Sequence, residues 1–161
     1  NSDGLSFFVF CKPTPATLPS ASGFAFLVKD GTFGMRINTD GDSNVNPSFD
    51  NFSSVESGTT NAVRGNNWQI VGFNKADAFY VNGSSAGNFT LVPAADNTNA
   101  LRLGSAIGSN FFSGEIAEIL LFKGAVSSGE RQKIEGYLAH KYGVQSLLPR
   151  THPYRNNPPT V

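Results

Sequence analysis

The chain has 161 residues, a length typical of a single domain. Its 12 basic and 12 acidic side chains give a net charge of zero, without the basic surface that a phosphate backbone requires, so nucleic acid is excluded as an expected partner. The longest apolar stretch, residues 116–122, contains Glu118 and is far shorter than the ~20 residues of a membrane helix, so membrane insertion is not expected.

The chain begins with Asn-Ser-Asp-Gly, without an initial Met, a basic start or an apolar signal core, so we interpret it as a processed or excised piece of a protein. Its single cysteine, Cys11, cannot form an internal disulfide. Cys11 follows the apolar run from Phe7 to Phe10, and we expect it to be a small residue of the core.

The composition predicts short packed strands joined by many turns, because the chain has 14 Phe and 17 Gly and only 15% charged residues. Pro13 ends the first predicted strand, since proline cannot donate to a sheet ladder. Asp30-Gly31 and Asn82-Gly83 are pairs that favour tight hairpin turns. The predicted strands cover residues 5–11, 24–29, 33–38, 68–74, 78–81, 90–92, 100–104 and 115–122.

The polar segment of residues 38–60 is predicted to be a long loop, and long loops often carry function. Its oxygen-bearing side chains at alternate positions resemble the start of a calcium loop. Val45 stands where an EF-hand needs its turning Gly, and Asn51 where it needs a bidentate Glu, so an EF-hand is excluded. Two interpretations stay open, a looser calcium site or an Asx-rich turn. The candidate calcium ligands are Asp40, Asp42, Asn44 and Asn46.

The last predicted strand, residues 115–122, is apolar on both faces and must therefore be covered twice. In a regular strand, one face would carry Ile116, Leu120 and Phe122 and the other Ala117, Ile119 and Leu121.

One helix is predicted to supply one of these covers. Ser127 and Glu130 have capping-box spacing, and Gly143 suits the left-handed position that ends a helix. The tail, residues 144–161, contains four prolines and is expected to run as an extended strap along the body. The apolar positions that recur every four residues on one face of the helix are Ile134, Leu138 and Tyr142.

Three segments of the sequence resemble the laminin-G-like, concanavalin-A-like jelly-roll family. Residues 67–71 and 78–83 (NWQIV and AFYVNG) are similar to its strand and hairpin, and residues 112–122 to its closing strand. Residues 127–154 are similar to the end of domains from phage virion proteins and secreted bacterial proteins. The resemblance implies an all-β, antiparallel jelly-roll β-sandwich with one C-terminal helix, forming a single domain over residues 1–161 with its strap at 143–161.

Members of this family usually have further strands before the segment that matches residues 5–11. We expect these N-terminal strands either to lie in a part of the protein outside this sequence or to be supplied by another chain. An unpaired sheet edge invites strand addition, which favours a homo-oligomer or membership of a larger assembly.

Catalysis has weak support in the sequence. Glu115 and Glu118 are three residues apart, so a regular strand would place them on opposite faces, where they could not share a sugar. Residues 83–87 match the G-x-S-x-G pattern, but the following residues are strand-like rather than helical, so we interpret this segment as a turn. Neither His140 nor His152 has a metal-spaced neighbour, and His152 is expected to fix the strap by a hydrogen bond.

Sugar recognition would need an aromatic platform beside amide and carboxylate groups. Trp68 and Tyr80 are candidate platforms, although both lie in predicted strands, where core packing is the usual role of an aromatic residue. The polar candidates are Asn82, Asp96 and Asn110.

The sequence therefore predicts a non-catalytic binding or adhesion module at a virion surface or tail, or in a secreted protein, that contacts glycans or neighbouring proteins. Two alternatives stay open: a purely structural virion assembly or decoration protein, and a glycan-active hydrolase. Exposed aromatic residues beside Asn-rich loops would favour glycan binding, whereas apolar patches and a bare sheet edge would favour assembly.

Overall fold

A computed structural model describes residues 5–14, 24–39, 45–50, 55–57, 62–74, 78–90, 97–105 and 111–160. Within these residues, antiparallel strands form two five-stranded sheets, and a helix follows the last strand, which confirms the predicted fold class. The elements are β1 (Leu5–Pro13), β2 (Phe24–Lys29), β3 (Phe33–Thr39), β4 (Val45–Asp50), β5 (Val55–Ser57), β6 (Gln69–Asn74), β7 (Ala78–Val81), β8 (Ser84–Asn88), β9 (Leu101–Leu103), β10 (Gly114–Lys123), α1 (Ser128–Lys141) and a 3₁₀ helix (Gln145–Leu147).

The molecule has three layers. The first sheet has the strand order β10-β1-β6-β7-β8, and the second has the order β5-β4-β3-β2-β9. Alternate residues of β1 serve two cores, because Phe7, Val9 and Cys11 face the second sheet while Phe8 and Phe10 face α1. Cys11 thus lies in the core, as the sequence predicts.

Some segments have a different secondary structure from the one predicted. Residues 45–50 and 55–57 form strands, not a loop, and Phe49 and Pro47 pair with Met35 and Ile37 of β3. Their polar composition concealed them, because the alternation of apolar and polar residues that indicates a strand is weak in both segments. Likewise, the turn predicted for residues 83–87 ends at Gly83, and β8 follows it.

A β-bulge in β10 alters the predicted faces of the last strand. Phe10 pairs with Glu118 and Cys11 with Ile116, so Ala117 is the extra residue. Ile116 therefore packs with Ile119 against the inter-sheet core, rather than with Leu120 and Phe122, which pack against the core beneath α1.

Helix α1 begins with the predicted capping box, and Gly143 has the left-handed φ of 68° that was expected at its end. Residues 144–160, named here the strap, are not extended as predicted but fold into the short 3₁₀ helix and a series of turns. No helix in the described part of the chain is long and apolar enough to cross a membrane.

Candidate binding surfaces

The two candidate carboxylates of β10 lie on the same face of the first sheet, contrary to the prediction. Glu118 is opposite Phe10 and Glu115 is opposite Lys12, and these two β1 residues share a face. The bulge at Ala117 brings the two carboxylates to one face, because its extra residue breaks the regular alternation of side chains between the two faces that the prediction assumed.

Both carboxylates are nevertheless engaged by neighbouring side chains. Glu115 pairs with Nζ of Lys12 at 3.1 Å, and Glu118 accepts from Tyr137 Oη at 2.9 Å and pairs with Nζ of Lys141 at 3.0 Å. Burial alone would raise the pKa of Glu118, but the hydrogen bonds from Lys141, Tyr137 and Tyr142 lower it overall. A general acid needs the opposite shift, so Glu118 is poorly suited to donate a proton to a leaving group.

The predicted sugar platforms are covered by the protein's own side chains. The indole of Trp68 stacks on Phe10 with the ring centroids 4.8 Å apart and belongs to the core beneath α1. The guanidinium of Arg131 lies 3.9 Å from the ring centroid of Tyr80. Both aromatic side chains are half-buried, and these contacts favour a packing role for each.

Of the three polar residues predicted to bind sugar, the structure describes Asn82. Asn82 forms the β7–β8 turn with a φ of 51°, and its Oδ1 accepts a hydrogen bond from the backbone amide of Ile70 at 2.9 Å. Asp96 and Asn110 lie outside the described residues.

The candidate calcium loop falls between two paired strands, since Thr39 of β3 pairs with Val45 of β4. Asp40, Asp42 and Asn44 lie outside the described residues, and the backbone of Asn46 pairs within β4. The calcium site stays a prediction. Among the residues that the structure describes, no group of three or more His, Cys, Asp or Glu side chains could hold a metal ion.

An exposed apolar surface that the sequence analysis did not single out lies at the edge of the second sheet. We name it the β9 corner, formed by Leu101, Leu103 and Phe111, whose exposed fractions are 48%, 59% and 65%. Phe111 is held beside β9 because the amide of the next residue donates to the carbonyl of Gly104 at 2.8 Å. The sequence analysis predicted a strand at residues 100–104, but not that its leucines would be exposed.

Asparagine side chains fix the backbone next to this corner. Nδ2 of Asn97 and of Asn99 both donate to the carbonyl of Asp30, at 2.8 and 2.9 Å. The buried carboxylate of Asp30 also pairs with Nε of Arg102 at 3.2 Å. The corner therefore combines exposed apolar side chains with an anchored, amide-rich loop.

A second exposed apolar surface lies along β10, which is an edge strand of the first sheet. We name it the β10 edge. Leu121 is 44% exposed there, and Tyr137 of α1 is 40% exposed. A groove of about 460 Å³ separates the strand from α1 and the strap. It is lined by Leu120, Phe122, Lys133, Ile134, Tyr137, Pro159 and Thr160.

Buried charges join α1 to the strap. Nη1 of Arg131 donates to both carboxylate oxygens of Glu135, at 2.7 and 2.6 Å, and Nε2 of His152 lies 3.1 Å from the same carboxylate. Nδ1 of His152 accepts from the backbone amide of Tyr154 at 3.2 Å, so the proton of the neutral ring is on Nε2. His152 thus fixes the strap as predicted.

Comparisons with known proteins agree with the fold seen in the structure. A laminin-G-type sequence profile of the Concanavalin A-like lectin/glucanases superfamily matches residues 1–130. The native heptameric SAP-like pentraxin from Limulus polyphemus is similar with a TM-score of 0.58 and 18% identity, over 83% of this chain and 70% of the pentraxin. A search of curated proteins found no significant relative.

A second solved structure is similar at the same level. It is domain 4 of AbnA, a GH43 extracellular arabinanase from Geobacillus stearothermophilus, in complex with arabinotriose, with a TM-score of 0.56 and 20% identity. The similarity covers 81% of this chain and 65% of that domain. At these identities, both likenesses establish the fold alone.

Proposed function

Because this chain belongs to the concanavalin A-like lectin/glucanase superfamily, whose fold commonly binds carbohydrates or proteins, we propose that it is a non-catalytic binding and adhesion module that acts through the β9 corner. The observation that carries this proposal is the exposure of Phe111 at 65%, the highest among the exposed large apolar side chains of the described residues. Leu101 and Leu103 of the same corner are also exposed, and exposed apolar side chains that together form a patch are typical of a contact surface.

The chemistry of the corner suits a glycan. An exposed aromatic ring stacks on the apolar face of a sugar, and amide groups nearby hydrogen-bond its hydroxyls. Two of the polar residues predicted to bind sugar are next to the corner in sequence, since Asp96 precedes Asn97 and Asn110 precedes Phe111. The corner therefore replaces Trp68 and Tyr80 as the aromatic part of the candidate sugar site.

The setting that fits such a module is a virion surface or tail, or a secreted protein. Residues 127–154 support this proposal through their resemblance to the ends of domains from such proteins. The arabinanase whose domain has a similar fold is itself described as extracellular.

Calcium binding by Asp40, Asp42, Asn44 and Asn46 is proposed as an accessory feature. Their oxygen atoms are the ligand type that calcium prefers. The pairing of Thr39 with Val45 leaves five residues, 40–44, between the two strands.

The test is binding of the whole chain to a glycan array that includes arabino-oligosaccharides. We expect binding to at least one glycan and its loss in Phe111→Ala, because the variant removes the stacking surface. Leu121→Ala is the matched control, since it truncates an exposed apolar residue on the other sheet and should bind normally. Equal binding by Phe111→Ala and the wild type would reject the β9 corner.

The same preparation also tests the hydrolase alternative. The bulge places Glu115 and Glu118 on one face, but each is paired with a lysine. We expect no release of reducing sugar from any glycan that is bound. Hydrolysis that is abolished by Glu118→Gln would contradict the non-catalytic proposal.

A further inference from the structure

We propose that the groove between β10 and α1, named here the β10–α1 groove, binds a single-chain anionic amphiphile of the fatty-acid type, with its acyl chain in the groove and its head group at Lys133. The groove has a volume of about 460 Å³. Small-molecule sites commonly have volumes of roughly 300–1,000 Å³. The described lining of the groove shares no residue with the β9 corner, so this ligand is additional to the proposed glycan.

The lining of the β10–α1 groove is mainly apolar. Leu120 and Phe122 of β10 lie on the face of the strand that packs beneath the helix, and Ile134 of α1 packs against the same core. These three side chains are only half-buried, because the groove leaves one side of each of them uncovered. Pro159 of the strap extends the apolar lining. An acyl chain in the groove would remove this apolar surface from water, which favours binding.

The two ends of the groove along α1 differ in charge. At one end, the hydroxyl of Tyr137 is already occupied, because it donates to Glu118 at 2.9 Å and accepts from Nζ of Lys141 at 2.9 Å. Glu118 and Lys141 also pair with each other at 3.0 Å, so their charges are balanced. Lys133 lines the groove one helical turn nearer the start of α1. The Tyr137 end therefore suits the tail of a ligand, and the Lys133 end suits a charged head group.

Lys133 determines the charge of the expected ligand, because it is the only charged residue in the described lining of the groove. Its side chain is exposed, and no hydrogen bond or salt bridge joins it to another described residue. Glu130, one turn earlier, instead accepts from the amide and the hydroxyl of Ser127, both at 2.7 Å, and acts on Lys133 through its charge alone. An unpaired cation beside an apolar groove complements a ligand that has one negative charge and an apolar body.

The first experiment titrates the whole chain with dodecanoate at pH 8, below the concentration at which dodecanoate forms micelles, and measures binding by isothermal calorimetry. We expect saturable binding of one molecule per chain. Dodecyltrimethylammonium has the same tail and a positive head group, and it should bind more weakly. Lys133→Glu should lower the affinity for dodecanoate by about tenfold, because it reverses the charge at the head-group end. Arg64→Glu is the matched control, since it makes the same charge change at an exposed residue outside the described lining of the groove, and it should bind normally.

A second variant tests the groove separately from the charge. Ile134→Trp fills the groove with an apolar ring, so it should block dodecanoate, whereas non-specific apolar adsorption would persist or increase. Circular dichroism of each variant verifies that it is folded. A wild-type chain that does not bind dodecanoate, or binding that neither Lys133→Glu nor Ile134→Trp weakens, would overturn the proposal. Binding to phosphatidylglycerol vesicles without binding to monomeric dodecanoate would also overturn it, because the ligand would then be a membrane surface and not a single amphiphile.

Discussion

The carboxylate of Glu135 in α1 accepts a hydrogen bond from Nε2 of His152 in the strap at 3.1 Å, and both side chains are buried. Both residues lie beyond residues 1–130, the part of the chain that the family profile matches. The structure gives these two residues a physical role, since Glu135 also holds Arg131, and the guanidinium of Arg131 packs on Tyr80 of the first sheet. These contacts therefore fasten the helix and the strap to the sheet.

Glu135→Ala is expected to lower the free energy of unfolding by roughly 3–5 kcal/mol, because it leaves the buried guanidinium of Arg131 without its counter-ion and His152 without an acceptor. Urea unfolding measures this loss. Glu115→Ala is the control, since an exposed ion pair contributes only about 0–1 kcal/mol. If the two variants were equally stable, the buried network would have no structural role.

Gly136→Ala is expected to destabilise the protein although alanine is the better helix former. A Cβ at Gly136 would overlap Cβ of Tyr154, where the strap crosses α1. The matched control is Gly129→Ala in the first turn of the same helix, where a Cβ meets nothing within 4 Å. The control should gain up to about 1 kcal/mol from helix propensity. If the strap packs as described, thermal unfolding should give a lower melting temperature for Gly136→Ala and a higher one for Gly129→Ala than for the wild type.

The pH dependence of stability should reveal the hydrogen bonds to Glu118. Its pKa in the folded protein is below its ordinary value of 4.5, so folding favours the ionised carboxylate. The contribution of the ionised Glu118 to the stability of the folded protein is therefore fully present above pH 4.5. It is lost as the pH falls through the lowered pKa of the folded state. The stability difference between the wild type and Glu118→Gln should shrink over that acid range. A difference that stays constant with pH would show that ionisation of Glu118 does not contribute.

Local sequence signals predicted much of the fold. The apolar segments beside predicted turns matched the ranges of β2 and β7, and the spacing of Ser127 and Glu130 predicted the start of α1. The bulge at Ala117 could not be predicted, because it depends on pairing with β1, which is distant in sequence. β4 was missed for a related reason, since its backbone pairing with β3 leaves little apolar pattern.

The candidate site was less predictable than the fold. Trp68 and Tyr80 have the residue type of a sugar platform, but packing against Phe10 and Arg131 decides their role. The sequence did not distinguish Phe111 from the other phenylalanines, because a side chain is exposed or buried according to whether the folded sandwich covers it. Tertiary packing, not residue type, separates these aromatic residues.

Cys11 should be inert to thiol reagents in the folded protein. Its side chain is fully buried between the sheets, and burial raises the pKa of its thiol well above the ordinary range, so little reactive thiolate forms. We expect a colorimetric disulfide reagent to modify Cys11 only after denaturant is added. The variant Leu103→Cys supplies a positive control, since its new thiol replaces a 59% exposed side chain and should react at once in the native state. Rapid modification of the wild type without denaturant would mean that β1 opens readily from between its neighbours. The two cores on either side of this strand make such opening unfavourable, because it would expose the apolar residues of both faces together.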